Sequence, residues 1–99
     1  MEMVVDGFDW DAGNTTKCKS HGVSIAEIEA VFRGTPRVAP DPAHSAVEDR
    51  LIAIGRLGQG RPVFIAFTIR EQGGRRLIRP ITARYMHNRE IKRYETAGS

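Results

Sequence analysis

The chain has 99 residues, 40% hydrophobic and 27% charged, with a formal net charge of +3; residues 1–99 are expected to form one small domain with a modest core and no compositional mark of disorder. Its single cysteine, Cys18, excludes an internal disulfide framework and fits a reducing compartment. No apolar run reaches the length of a membrane span and the first residues do not read as a signal peptide, so we expect a cytoplasmic protein without a membrane partner.

Charge is divided along the chain. Residues 1–49 hold four basic and nine acidic groups, a net −5, and residues 50–99 hold eleven basic and three acidic ones, a net +8. A basic half attracts polyanions, whereas an acidic half either serves a basic partner or pairs internally. Ten of the fifteen cations are arginines of the second half, and arginine is the better bidentate grip on phosphate.

In chain order, residues 3–10 are predicted as a first strand, irregular at Gly7, with Trp10 read as core. Asp11 is a candidate N-cap for a short helix to about Ser20, stopped by Gly22. That helix is weak because Thr15 and Thr16 are poor helix formers. A second helix is better marked. Ser24 with Glu27 makes a capping box, Val23 with Ile28 a hydrophobic staple, and Ile25, Ile28, Val31 and Phe32 an apolar stripe that we assign to the core. Gly34 and Pro36 end it. Residues 36–49 hold three of the five prolines and are expected to be an extended loop, with a short strand near residues 37–39.

Three strands follow. Residues 51–57 lead to a turn at Gly58-Gln59-Gly60. Residues 63–69 place Val63, Ile65, Phe67 and Ile69 on one face, and Gln72-Gly73-Gly74 turns the chain into residues 77–83. Pro80 cannot donate to a ladder, which predicts an edge position or a bulge, and bulges re-aim side chains. A last helix over residues 87–95 would put His87, Ile91 and Tyr94 on one face and Arg89, Lys92 and Arg93 on a basic one. This order gives an α+β fold: two N-terminal helices, an antiparallel sheet of three to four strands and a C-terminal helix.

The candidate chemistry gathers in residues 79–95. Arg79 and Arg84 fall on opposite faces of a regular strand, and a bulge at Pro80 would bring them to one side. They either clamp a phosphate and stabilise its transition-state charge, or pair with Glu48, Asp49 or Glu90. His87 and Glu90, three apart on a helix, are close enough to meet. Histidine suits removal of a ribose 2′-hydroxyl proton, with glutamate orienting it or acting as base; the alternative is a surface pair. His21, at a helix end, is either catalytic or held there by the helix dipole. Tyr85 and Tyr94 are candidates for stacking on unpaired bases. Asp41, His44 and Glu48 have loose metal-ligand spacing, but no second histidine or cysteine pair completes a site.

Several stretches together resemble the BrnT family. They are Phe8-Asp9-Trp10-Asp11; His21-Gly22-Val23-Ser24 before a helix ending in Val31-Phe32; Asp41, His44, Glu48 and Arg50 ahead of Gly55; and Ile81-Thr82-Ala83-Arg84 with the trailing Glu90 and Tyr94. The resemblance spans residues 8–95 and rests on order and spacing rather than on one motif. It implies a small ribonuclease toxin of a type II toxin–antitoxin system with a RelE-like fold, cleaving RNA without metal or other cofactor and inhibiting translation. It also implies neutralisation by a BrnA-like antitoxin, through which alone operator DNA would be bound. His21, Arg79, Arg84, Glu90 and Tyr94 match family motifs; His87 is added on chemical grounds. The chain departs from the family at Ser20, where lysine is frequent, at Gly13-Asn14-Thr15-Thr16, and at Thr82, where serine is frequent. These mark a divergent branch.

The expected catalytic set is therefore Arg79, Arg84, His87, Glu90 and His21, with Tyr85, Arg89, Lys92, Arg93 and Tyr94 binding RNA and no metal ligands. A non-catalytic RNA- or protein-binding module is the alternative.

Overall fold

Two short helices are set by their caps. Asp11 accepts from the Asn14 backbone while the Asn14 side chain accepts from the Asp11 N–H, and α1 runs Ala12–Lys19. Ser24 and Glu27 do the same for α2, Ile25–Arg33. These reciprocal bonds satisfy donors that a helix start otherwise leaves free. Gly22, at φ 85°, makes the turn between the helices. The computed structural model describes residues 5–41, 49–58 and 60–97; His44 and Glu48 of the metal-like spacing, and Gln59 of the predicted turn, lie outside them.

The strands are β1 (Gly7–Phe8), β2 (Arg37–Pro40), β3 (Leu51–Gly55), β4 (Val63–Gln72) and β5 (Arg75–Tyr85), and α3 (Asn88–Ala97) follows. They form one sheet in the order β1-β5-β4-β3-β2. The α+β class and the placement of helices at both ends of the chain are as expected. The strand count and the purely antiparallel pairing are not: the sheet has five strands and is mixed, because β1 lies parallel to β5. Acidic residues around β1 meet the arginines of β5: the Asp6 carboxylate accepts from the Arg76 backbone N–H at 2.7 Å and the Asp6 carbonyl from Arg75 at 3.3 Å. Part of the split between an acidic first half and a basic second half is internal pairing, because Arg79 of β5 bridges Asp9 and Asp11.

One face of the sheet carries α1 and α2. Cys18, Val23, Ile28 and Val31 from the helical layer pack on Ala53, Val63, Ile65, Phe67, Ile78 and Ala83 of the sheet. Burial pushes the Cys18 thiol up to about 11, which makes it an inert core group. Phe32 bridges the layers, edge-on to Phe8 at 5.9 Å and to Phe67 at 4.9 Å. Trp10 packs against this core, and its indole N–H donates to Glu29. Gly55 permits α2 to approach, since a Cβ there would sit 2.8 Å from Val31 Cγ1. Gly73 and Gly74, at φ 59° and 79°, close the β4–β5 hairpin in the left-handed backbone such turns need.

Pro80 lies at an irregularity and not on the outermost strand. Ala66 pairs with Thr82 and Phe67 with Pro80, so Ile81 is left without a partner: a bulge in β5. Since β1 pairs only as far as Ile78, the stretch beyond is covered instead by α1, where Asn14 Nδ2 donates to the carbonyls of Pro80 and Asp9 at 2.9 Å each.

Candidate functional site

The bulge decides where the two arginines point. Directly paired residues of neighbouring strands share a face. Arg84 pairs with Phe64 and Arg79 with Thr68. Phe64 and Thr68 are four apart on the regular β4, so they too share a face. Arg79 and Arg84 therefore stand on the same face, opposite the one that carries Val63, Ile65 and Phe67, because the extra Ile81 reverses the alternation between them. Four residues of strand keep them roughly 13 Å apart along that face at about 3.3 Å per residue.

Their partners differ. The Arg79 guanidinium reaches Asp11 at 2.9 Å and Asp9 at 3.4 Å, both at the junction of β1 and α1. The Asp11 carboxyl is held below its usual range, first by the Asn14 N–H and then by Arg79. Arg84 lies at the other end, over the Phe64 ring at 4.6 Å, with Nη1 and Nη2 donating to the two oxygens of Glu90 at 2.7 and 2.8 Å. Glu90 also accepts the His87 backbone N–H at 2.9 Å. His87 thus occupies the N-cap position of α3, and its carbonyl accepts from Ile91. Arg84, followed by the His87 N–H, holds the Glu90 carboxyl down to about 2, and Glu90 in turn raises Arg84. The predicted meeting of His87 and Glu90 exists, but through the histidine backbone; the imidazole is left exposed.

Helix α3 is laid over this end of the sheet by arginines. Arg37 of β2 places its guanidinium 4.4 Å from the Tyr94 ring centroid and donates to the Tyr94 carbonyl at 2.9 Å. Arg56 reaches Glu95 at 3.0 Å. Arg89, Lys92 and Arg93 are exposed on the helix. Beneath α3 lies a cavity of about 310 Å³ with Ile54, Phe64 and Met86 among its walls.

Two predicted residues are elsewhere. Tyr85 pairs with the core residue Val63, so it faces α2, where its hydroxyl donates to Glu27 at 2.7 Å. That bond raises the Tyr85 phenol, and Glu27 is lowered by the Ser24 N–H and then by Tyr85. His21 is exposed in the α1–α2 turn, on the helical layer. The structure so gathers Arg84, His87, Glu90 and Tyr94, sets Arg79 apart on the same face, and leaves Tyr85 and His21 on the other. Asp9, Asp11, Arg37 and Phe64 were not among the expected site residues. For the two aspartates the acidic flanks of Trp10 were a usable signal; Arg37 and Phe64 join the site only through strand register. Of the loose metal-like set, only Asp41 is described. It is buried, and among the described residues no three His, Cys, Asp or Glu side chains gather as metal ligands.

Fold and site together define a small α+β domain in which the sheet face opposite the core presents an arginine–carboxylate–histidine group beside a basic helix. The chain belongs to the family of the ribonuclease toxin BrnT of type II toxin–antitoxin systems, whose family model matches residues 10–90. Comparison with curated proteins gives no match. The matched span includes Arg79, Arg84, His87 and Glu90, and stops before Arg93 and Tyr94. A type II system pairs such a toxin with an antitoxin. No helix among the described residues is long and apolar enough to cross a membrane.

Proposed function

We propose that the chain is a metal-independent endoribonuclease toxin whose reacting groups are Arg84 and His87, at the junction of β5 and α3. The observation that carries this reading is the cluster itself: a partly exposed arginine, fixed by Phe64 and Glu90, next to an exposed histidine fixed through its backbone, in a member of a ribonuclease toxin family.

A guanidinium has five N–H donors. Glu90 engages Nη1 and Nη2 with one bond each, so donors remain for a phosphate oxygen. Arg84 would hold the scissile phosphate and stabilise the charge that builds on it. The 2′-hydroxyl attacks phosphorus, its proton passes to the His87 imidazole, and the bond to the 5′ oxygen breaks. That oxygen takes a proton from solvent, and the products are a 2′,3′-cyclic phosphate and a 5′-hydroxyl end. Glu90 is a poor base here. A carboxyl held at about 2 has little affinity for a proton at neutral pH, and efficient general bases lie near the working pH. Its role is to position Arg84 and the start of α3. His21 stands on the other layer, and Arg79, closed by two aspartates, anchors β1 and α1. The exposed Arg89, Lys92 and Arg93 would guide the RNA backbone. A BrnA-like antitoxin in the cytoplasm would neutralise the toxin and supply the contact with operator DNA.

One observation favours a non-catalytic RNA- or protein-binding module: both Arg79 and Arg84 already have carboxylate partners. Incubating the purified protein with single-stranded RNA in excess EDTA separates the readings. The proposal expects cleavage leaving cyclic phosphate ends, and a loss of about 10²–10⁴-fold in His87→Gln, the usual contribution of a general base. Binding to RNA that stays intact would favour the module, and undiminished cleavage by His87→Gln would remove His87 from the mechanism.

A further inference from the structure

The cavity under α3 is not used by the chemistry above, yet it shares two walls with it. Phe64 lines the cavity and also carries the Arg84 guanidinium; Glu90 lines it and also binds Arg84. Its other walls include Ile54 and Met86, with Arg93 and Tyr94 contributed by α3. A volume of about 310 Å³ lies at the small end of the roughly 300–1,000 Å³ common for ligand sites. Apolar walls with a few polar groups at the margin suit a planar aromatic ring that carries hydrogen-bonding edges. We infer that this cavity is a base subsite: it takes one nucleobase of the RNA, that of a nucleotide flanking the phosphate held by Arg84.

The inference rests on the ribonuclease reading for its substrate, and it commits to a base rather than to an apolar side chain of a protein partner for a structural reason. The cavity is continuous with the phosphate grip through Phe64 and Glu90, so a ligand that fills both must carry a ring within one nucleotide's reach of an anion. The rim supports the same choice. Arg93 is an exposed cation suited to a neighbouring phosphate or to a base acceptor edge. Tyr94 is held by Arg37 through both its ring and its carbonyl, which fixes one wall in advance of binding. Selectivity for particular RNA sequences would then arise here, while the general attraction to RNA comes from the basic face of α3.

Methyl-resolved NMR of the intact protein tests this without requiring turnover. The probes are the four nucleoside 3′-monophosphates, with inorganic phosphate as control. The expected result is a saturable shift of the Ile54 and Met86 methyl signals with a nucleotide and not with phosphate alone, stronger for one base than for the others. Ile54→Trp, which fills the cavity, should weaken that binding by about tenfold or more, the order of losing one base–aromatic contact; Ile54→Phe serves if the larger residue prevents folding. Parent protein that cleaves RNA while these methyls stay unmoved, with the base preference at the cut site unchanged in the filled variant, would overturn the subsite and leave the ribonuclease reading standing. Saturable, base-dependent shifts in a protein that leaves RNA intact would support the subsite and remove the cleavage. Methyl shifts produced only by a peptide of the antitoxin, and by no nucleotide, would assign the cavity to a protein partner and overturn the inference.

Discussion

The two faces of the sheet are built by different physics. On the face covered by α1 and α2, Ile28, Ile65 and Phe67 are fully buried and interlock with one another. On the opposite face α3 is tethered through Arg37, Arg56 and Arg84 and stands over an open cavity. Burial stabilises roughly in proportion to apolar area removed from water, whereas half-exposed ion pairs contribute little. The first face therefore maintains the fold. The second is free to present charged groups, which is what a surface that binds a polyanion requires.

Substitutions should divide along the same line. The largest effect is expected for Phe67→Ala, which empties a fully buried site next to Phe32 and should cost about 3–5 kcal/mol in urea denaturation; Phe64→Ala, three residues away on the other face, should cost much less. Equal costs would dissolve the distinction between the faces. Next comes Arg79→Ala. Asp9, only 20% exposed, would lose its cation, while Asp11 keeps the Asn14 N–H; a loss of about 1–3 kcal/mol is expected from leaving the part-buried Asp9 carboxylate unpaired. RNA cleavage by the fraction that remains folded should be nearly unchanged; a catalytic defect in well-folded Arg79→Ala would return that residue to the reacting set.

The smallest effect is a pH dependence. Glu90 has a depressed carboxyl, at about 2 in the folded protein, so the tie between Arg84 and α3 is fully present above the ordinary glutamate range near 4.5. It is lost as pH falls from there through about 2. Both side chains are about one-third exposed, 31% and 33%, so solvent screening limits the contribution to on the order of 1 kcal/mol. Amide exchange in α3 should rise on acidification below about pH 4.5 and stay flat between pH 5 and 8. A loosening of α3 that begins above pH 5 would assign its attachment to another group.

Local signals in the sequence carried far, and long-range ones did not. Ser24 with Glu27, the stripe Ile25, Ile28, Val31 and Phe32, and the alternation Val63 to Ile69 each encode their element within a few residues, and each element formed. Pro80 correctly announced an irregular strand, because a residue without an N–H disturbs a ladder wherever it falls. The parallel docking of β1 was not legible, since it depends on Asp6 and Gly7 finding β5 some seventy residues away. The face of Tyr85 was not legible either: alternation counted without the bulge assigns sides arbitrarily beyond Ile81. Within the candidate site, Arg84 and Glu90 could be read from their local spacing. Phe64 and Arg37, which shape the cavity and hold α3, are joined to the site by register alone.

If the face opposite the core carries the chemistry, Arg84 is its phosphate grip. The most direct test is the cleavage rate of Arg84→Ala on single-stranded RNA, measured beside its urea midpoint. The expected rate is lower by about 10²–10³-fold, the usual cost of removing one transition-state donor, with the midpoint close to that of the parent. A rate within a few-fold of the parent, or a loss no larger than the unfolded fraction explains, would contradict it.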